Sequence, residues 1–239
     1  MFGLHTVAAA WINPQRTCKR LLVTESALET LTPTLKRAAA LGLDRPPPTP
    51  AGRLDLDRLV PGAVHQGVVL ETSPLPEVDL DDFLALDPRP GFLVVLDQVT
   101  DPHNVGAVLR SAAAFGAGAV IVTERNAPDA TGTLAKSASG ALEVVPLVRV
   151  VNLARSLSQL RDAGYWCVGL DESGRRTLPE LDLSGPVALV LGAEGEGLRR
   201  LTMERCDELT RLPTSGPVST LNVSNAAAVG LYELARRRV

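Results

Sequence analysis

The sequence predicts an α/β protein in which a parallel sheet covered by helices follows a smaller α/β domain. From about residue 90 onward, apolar runs typical of buried strands alternate with helical patterns, which is the order expected of a parallel sheet. Before that point, two proline-rich stretches interrupt the chain. With 239 residues, 45% of them hydrophobic, the chain is long enough for one large domain or two smaller ones.

The first part of the chain is predicted to be a compact α/β module. "RLLVT" (20–24) and "AVHQGVVLE" (63–71) have the composition of strands, and 26–42 has a helical pattern that we expect to be interrupted near Pro33. Between them, "DRPPPTPAGR" (44–53) holds four prolines and should cross the surface as an extended loop.

A second proline-rich stretch marks a linker. Residues 72–91 hold four prolines and five acidic side chains around a few apolar ones, which suits a linker containing a short helix. We therefore predict a small α/β domain at 1–73, a linker at 74–89 and a larger domain at 90–239.

The larger domain is predicted to alternate strands and helices. The predicted strands are "GFLVVLD", "AVIVT", "EVVPLV", "WCVGLD", "VALVLG" and "ELTRLP". The predicted helices are 104–115, with Asn104 as its N-cap, a segment near 131–141, 152–163 and 225–238. In a parallel sheet of this kind, ligands bind at the carboxyl ends of the strands.

The charge of the chain is divided unevenly. Residues 1–53 hold seven basic and three acidic side chains, a balance of +4, although the whole chain has a net charge of −3. This asymmetry is expected when one part of a protein contacts a polyanion, and a merely solvated surface is the alternative.

Several classes of protein are disfavoured by composition. Cys18, Cys167 and Cys206 form no CxxC pair, which argues against a zinc site or a disulfide framework and suggests buried thiols. No apolar run approaches the roughly 20 residues of a membrane span, and no charged leader is evident. We expect a cytoplasmic protein without a metal or a membrane partner.

The first of three polar clusters at predicted strand ends is "LDQVTDPHNVGAVLR" (96–110). Asn104 needs no role beyond capping the helix. Arg110 is harder to explain, because it lies two turns into a helix among small apolar residues. Its guanidinium must reach solvent or bind an anion.

The second cluster is "VALVLGAEGEGLRR" (187–200). Its glycines suggest a phosphate-binding loop, but their spacing is GxxGxG and not the GxGxxG of dinucleotide-binding proteins. Glu194 and Glu196 would also place two carboxylates beside a pyrophosphate. A neutral or cationic ligand therefore suits this loop better.

The third cluster begins with "RLPTSGPVST" and continues into "LNVSNAAAVGLYE" (221–233). Pro213, Gly216 and Pro217 predict a tight loop that leads into the last helix. Ser224 or Asn225 is a sufficient helix cap, but capping does not explain why all three polar clusters fall at sheet ends.

The three clusters together resemble the motifs of a known family. "DxxxDPxNxGxxxR", "LVLGAEGEGL" and "LNVSNAAAVGLYE" agree in order and spacing with the SpoU branch of the SPOUT RNA methyltransferases, over about 90–239. This resemblance implies methyl transfer from S-adenosylmethionine to a ribose 2′-hydroxyl. "FGLHTVAAAW", "VHQGVVLE" and "GAEGEGLRRLTMERCDEL" resemble bacterial members that methylate a guanosine in the peptidyl-transferase loop of 23S rRNA, whose N-terminal domain is similar to a ribosomal-protein RNA-binding module.

The resemblance also implies features that the pattern alone does not. The fold would be a parallel sheet with a C-terminal trefoil knot over roughly 190–239, and the active protein would be a homodimer paired through the knot. The residues implied to hold the cofactor are Gly192, Leu212, Leu221, Gly195 and Leu170. Those implied to form the reaction site are Arg110, Asn104, Glu194, Asn222 and Thr220, the last replacing a serine common in the family. We expect RNA contacts from Arg16, Lys19 and Arg20.

Two questions stay open at the level of sequence. A related enzyme of tRNA or another rRNA site, or an RNA-binding protein without catalytic activity, would carry similar motifs. The resemblance also implies that Arg110 acts on the 2′-hydroxyl, but arginine stays charged in proteins and is a poor base. Our hypothesis is that Arg110 binds the flanking phosphate and stabilises the developing alkoxide, while the proton leaves through that phosphate or water.

Overall fold

Two sheets organise the chain in a computed structural model that describes residues 1–125, 127–217 and 220–238. The N-terminal sheet has three strands in the order β2-β1-β3. The elements of this part are α1 (Leu4–Ile12), β1 (Cys18–Val23), α2 (Glu25–Ala40), β2 (Thr49–Pro50), α3 (Arg53–Leu59) and β3 (Val68–Thr72). The central strand β1 pairs in parallel with β2 and antiparallel with β3.

Three expectations for this part are corrected. Helix α2 runs through Pro33 without interruption, because its buried residues Ala27, Leu31 and Ala38 pack as one face on the core. The proline-rich stretch includes the short edge strand β2, where a proline is tolerated. Strand β3 begins only at Val68, since the preceding Gln66 and Gly67 have φ angles of 54° and 76°.

The stretch predicted to be a linker contains a short helix, as expected. Helix α4 (Leu80–Leu84) begins after Asp79, whose carboxylate accepts a hydrogen bond from the amide of Asp81 at 2.8 Å. Leu80 and Phe83 are buried in the core of the following sheet. The linker helix is therefore packed on the larger part of the chain.

The second sheet has seven strands in the order β6-β5-β4-β9-β7-β10-β8, and every neighbouring pair is parallel. Its strands are β4 (Phe92–Leu96), β5 (Val120–Thr123), β6 (Leu147–Val150), β7 (Trp166–Leu170), β8 (Arg176–Thr177), β9 (Val187–Leu191) and β10 (Glu208–Arg211). The helices are α5 (Pro102–Phe115), α6 (Gly132–Ala138), α7 (Leu153–Asp162), α8 (Arg200–Arg205) and α9 (Val223–Arg236), with 3₁₀ turns at Ala141–Glu143 and Leu178–Glu180. The predicted parallel α/β sheet is confirmed.

Some local expectations for the second sheet are wrong. The strand placed at 143–148 lies at β6 instead, because residues 141–143 form a 3₁₀ turn and Pro146 precedes the strand. Strand β8 and helix α8 were not predicted, and both are short. The order of the strands does not test the trefoil knot, which stays a prediction.

A buried ion pair links the N-terminal part of the chain to the part that holds the second sheet. Arg16 Nη2 lies 2.6 Å from Glu143 Oε1, and the two side chains are 5% and 2% exposed. Asn13 donates to Glu143 Oε2 at 2.8 Å, and Arg16 donates to the carbonyl oxygen of Ser73 at 3.0 Å. A guanidinium enclosed in this way is not available to RNA, so the expected RNA contact by Arg16 is wrong. Counting charges along the sequence does not show which of them are buried.

Two cysteines are expected to be chemically inert in the folded protein. Burial, reinforced by the negative charge of Asp207, raises the pKa of Cys167 and of Cys206 to about 12. The reactive thiolate is therefore scarce at pH 8. Iodoacetamide at pH 8 should leave both unlabelled until guanidinium unfolds the chain, as followed by peptide mass spectrometry. Rapid labelling of either thiol in the folded protein would contradict this.

Neither a membrane span nor a metal centre is found in the described ranges. None of the helices in these ranges combines the length and the hydropathy needed to cross a bilayer. The same residues contain no group of three or more His, Cys, Asp or Glu side chains placed to hold a metal ion.

Candidate active site

Three sequence motifs converge at the carboxyl ends of the central strands of the large sheet. Strands β4, β9 and β7 are neighbours, with Leu96 opposite Leu191 and Leu191 opposite Leu170. Because the strands are parallel, the segments that follow them emerge on the same side. The loops after β4 and β9 and the segment leading into α9 meet there, as the positions of the clusters predicted.

An amide–carboxylate cluster of Asn104, Glu194 and Asn222 ties these motifs together. Asn104 Nδ2 donates to Glu194 Oε1 at 2.9 Å. Asn222 Nδ2 donates to Asn104 Oδ1 at 3.1 Å and also to Glu194 Oε1. Each residue comes from a different motif, so the cluster forms only when the chain is folded. The hydrogen bonds fix the orientation of both amides and of the carboxylate.

The helix caps differ from those expected. Asp101 caps α5 by accepting a hydrogen bond from the amide of His103 at 2.9 Å, and Pro102 occupies the first helical position. Asn104 is therefore inside the first turn, and its side chain is free to reach Glu194. In α9 the cap is Asn222, whose Oδ1 accepts from the amide of Ser224 at 2.9 Å and from its hydroxyl at 2.5 Å.

Arg110 projects from α5 into solvent. It is exposed, although its neighbours Val108, Leu109 and Ala112 are buried. No hydrogen bond or ion pair joins its guanidinium to another residue of the described ranges. The charge of Arg110 is therefore available to an anion from outside the protein.

A cleft of about 640 Å³ lies beside the amide–carboxylate cluster. One wall is the loop 192–197, and the rest of the lining combines apolar and polar side chains. All five residues expected to hold a cofactor line this cleft, namely Gly192, Gly195, Leu170, Leu212 and Leu221. Glu194 and Thr220 line it as well. Ser219, which precedes Thr220, is outside the described residues.

The cleft also contains residues that the sequence analysis did not single out. Asp171 and Glu172 follow β7, and Arg211 and Thr214 lie at and after the end of β10. Their position after neighbouring parallel strands was a usable signal, since the same rule had identified the other clusters.

The glycines of the β9–α8 loop allow the chain to fold back tightly. A Cβ atom on Gly192 would lie 2.0 Å from the carbonyl carbon of Gly197 and 2.4 Å from the amide nitrogen of Leu198. The amide of Gly197 donates to the carbonyl oxygen of Ala193 at 2.9 Å. The glycine pattern is therefore explained by a compact turn that presents Glu194 to the cluster.

The remaining predicted RNA contacts lie on the N-terminal sheet. Lys19 and Arg20 are exposed on β1, where Arg20 is opposite Glu71 of β3. They lie close in sequence to Arg16 but, unlike Arg16, they are accessible to solvent.

Family models match both parts of the chain. Residues 91–232 match the SpoU rRNA Methylase family, and residues 1–78 match a model described as RNA 2′-O ribose methyltransferase substrate binding.

Individual relatives match over the whole length. The chain is 44% identical to the 23S rRNA (guanosine-2′-O-)-methyltransferase RlmB of Photobacterium profundum, with 100% of this chain and 97% of the relative covered. It is 45% identical to RlmB of Pseudomonas aeruginosa, with 100% and 96% covered. The SpoU methyltransferase AviRb of Streptomyces viridochromogenes, solved in complex with AdoMet, superposes with a TM-score of 0.79 at 27% identity, covering 100% of this chain and 89% of AviRb.

Proposed function

The chain belongs to the SpoU rRNA methylase family, and we propose that it transfers a methyl group from S-adenosylmethionine to the 2′-hydroxyl of a guanosine in 23S rRNA. The observation that carries the reaction is the meeting of Asn104, Glu194 and Asn222 beside the cleft. The substrate is supported by relatives of that name that match along the whole chain. The expected target within 23S rRNA is a guanosine of the peptidyl-transferase loop.

The cleft suits S-adenosylmethionine in size and in chemistry. Its volume of about 640 Å³ lies within the range of roughly 300–1,000 Å³ usual for small-molecule sites. Leu170, Leu212 and Leu221 offer apolar surface to an adenine, and the backbone of Gly192 and Gly195 offers polar groups. When bound, the cofactor supplies a methyl group on a positively charged sulfur.

The electrostatics of the loop favour a cation. Glu194 and Glu196 both line the cleft, and their carboxylates attract a sulfonium and an ammonium group. The same carboxylates would repel a pyrophosphate, so a dinucleotide is a poor occupant.

We assign the reacting hydroxyl to the side of the site where Arg110 is exposed. The amide–carboxylate cluster holds the β9–α8 loop against α5 and α9 and so fixes the shape of the site. Arg110 binds the phosphate next to the target ribose and stabilises the negative charge that develops on the 2′-oxygen. The proton leaves through that phosphate or water. Thr220 retains the hydroxyl of the family's serine.

RNA recognition belongs to the N-terminal part in this proposal. Residues 1–73 form the RNA-binding domain, 74–89 the linker and 90–239 the knotted catalytic domain. We also propose that the protein forms a homodimer. The apolar side chains of Val229 and Tyr232 on α9, which are 45% and 56% exposed, support this part of the proposal.

Reversing the charge of Lys19 and Arg20 should separate RNA binding from cofactor binding. The double variant Lys19→Glu, Arg20→Glu is expected to weaken rRNA binding by about ten- to a hundredfold near 0.1 M salt, because phosphate contacts dominate affinity. Calorimetry should find unchanged affinity for S-adenosylmethionine. The matched control is Arg155→Glu, Arg205→Glu, which makes the same charge change at exposed sites of the large domain. Equal loss of both affinities in the first variant would refute this division of roles.

The reaction is tested by mass spectrometry of nucleosides. 23S rRNA and tRNA from a strain that lacks the modification are each incubated with the protein and isotopically labelled S-adenosylmethionine. Labelled 2′-O-methylguanosine in 23S rRNA alone is the expected result. Label in tRNA would support the proposed reaction but contradict the proposed substrate. Absence of label from both RNAs would contradict the proposed activity.

A further inference from the structure

Asp97, the residue after β4, is a fully buried carboxylate whose partners all come from the segment that follows the cleft loop. Its exposure is 0%. Its Oδ2 accepts hydrogen bonds from the amide of Arg199 at 3.1 Å and from the hydroxyl of Thr202 at 2.6 Å. Its Oδ1 accepts from Arg199 Nε at 2.8 Å and lies 2.7 Å from Arg199 Nη2.

The backbone of Asp97 holds the other end of the same loop. Its amide donates to the carbonyl oxygen of Leu191 at 2.8 Å, and Leu191 is the last residue of β9. The two residues that flank the cleft loop (residues 192–198), Leu191 and Arg199, are therefore both bonded to Asp97. One residue fixes the separation of the two ends of this loop.

Stability alone is a poor explanation for this arrangement. Burying an ion pair costs solvation that its attraction often fails to recover, and an apolar pair of similar volume is commonly as stable. Arg199 is half exposed while Asp97 is fully enclosed, so the carboxylate carries most of this cost. What an apolar pair cannot supply is directional bonding of a backbone amide at a defined point.

We propose that Asp97 is a positioning residue that sets the cofactor loop in its binding conformation. The inference rests on the proposed function, because it assigns the loop 192–198 to S-adenosylmethionine. In this view, Asp97 keeps the backbone of Gly192 at the wall of the cleft and the carboxylate of Glu194 within hydrogen-bonding distance of Asn104. Asp97 itself does not line the cleft.

The test compares two buried carboxylates by calorimetric titration with S-adenosylmethionine. Asp97→Asn should weaken cofactor binding by at least about tenfold, the effect of losing one good interaction. Glu143→Gln is the matched control, since Glu143 is also buried and paired with an arginine, but its ion pair links the N-terminal part of the chain to the part that holds the second sheet. Glu143→Gln should lower the thermal unfolding temperature as Asp97→Asn does and leave cofactor affinity within twofold of the unmodified chain.

Each outcome decides the matter. Unchanged affinity in a folded Asp97→Asn variant overturns the inference and leaves the proposed function intact. If Asp97→Asn does not fold, Arg199→Pro decides, because proline removes the amide that donates to Asp97 and suits the φ angle of −63° at this position. Weaker binding than in Arg199→Ala, which keeps the amide, supports the inference, and equal binding in the two variants overturns it. Equal loss of affinity in Glu143→Gln overturns it as well. If the unmodified chain does not bind S-adenosylmethionine, both the proposed function and this inference are wrong.

Discussion

Replacing Arg110 with glutamine is expected to lower the rate of methyl transfer by about 10²–10³-fold, the usual cost of removing one group that stabilises developing negative charge. The side chain is exposed and has no bonding partner within the described residues, so its removal leaves no buried group unpaired. Cofactor binding should be unchanged, because Arg110 does not line the cleft. Folding stability should change by only a few tenths of a kcal/mol, as is usual at exposed sites.

Single-turnover kinetics with saturating rRNA isolates this effect from RNA binding. Arg155→Gln, at another exposed arginine, is the control and should retain the full rate. Arg110→Lys separates two roles, because lysine keeps the charge but loses the planar fork that binds phosphate through two hydrogen bonds. Near-normal turnover by Arg110→Lys with a raised pH optimum would argue against a bidentate role. Full activity of Arg110→Gln would contradict the assignment.

The convergence of the site could be predicted because parallel strands have their carboxyl ends on the same side of the sheet. Buried apolar runs followed by polar clusters indicate parallel strands whose carboxyl ends share an edge, and Asn104, Glu194 and Asn222 do meet there. The choice of S-adenosylmethionine came from the resemblance to a family. The residues alone gave only a preference for a neutral or cationic ligand.

The errors arose where distant contacts decide the outcome. Asp101 and Asn104 are both good capping residues. Only the folded chain shows that Asp101 caps the helix and that Asn104 donates a hydrogen bond to Glu194. Arg16 resembles Lys19 and Arg20 in sequence, but its partner Glu143 is 127 residues away. Asp97 lies within the first motif, yet its partner Arg199 is 102 residues further on. Sequence patterns give local preferences and do not show such pairings.

Replacing Gly192 with alanine should disable the cofactor cleft. The added Cβ would lie 2.0 Å and 2.1 Å from the carbonyl carbon and oxygen of Gly197, and 2.4 Å from the amide nitrogen of Leu198. All three are backbone atoms, so no side-chain rotation relieves the clash, and the loop must move. Because Glu194 lies within this loop, the wall of the cleft and the amide–carboxylate cluster are displaced together. We expect kcat/KM to fall by about a hundredfold or more, as a misplacement near 1 Å can cause.

A graded series of glycine variants distinguishes this clash from a general sensitivity of the loop. In Gly195→Ala the new Cβ meets nothing within 4 Å, but the φ angle of 80° makes alanine unfavourable by about 1–2 kcal/mol. In Gly185→Ala, at an exposed turn before β9, neither the space nor the backbone angle opposes the change. Cofactor affinity measured by calorimetry should therefore be normal in Gly185→Ala, reduced in Gly195→Ala and lowest in Gly192→Ala. If Gly195→Ala instead lost as much affinity as Gly192→Ala, the backbone angle of the loop and not its close return past Gly192 would control binding.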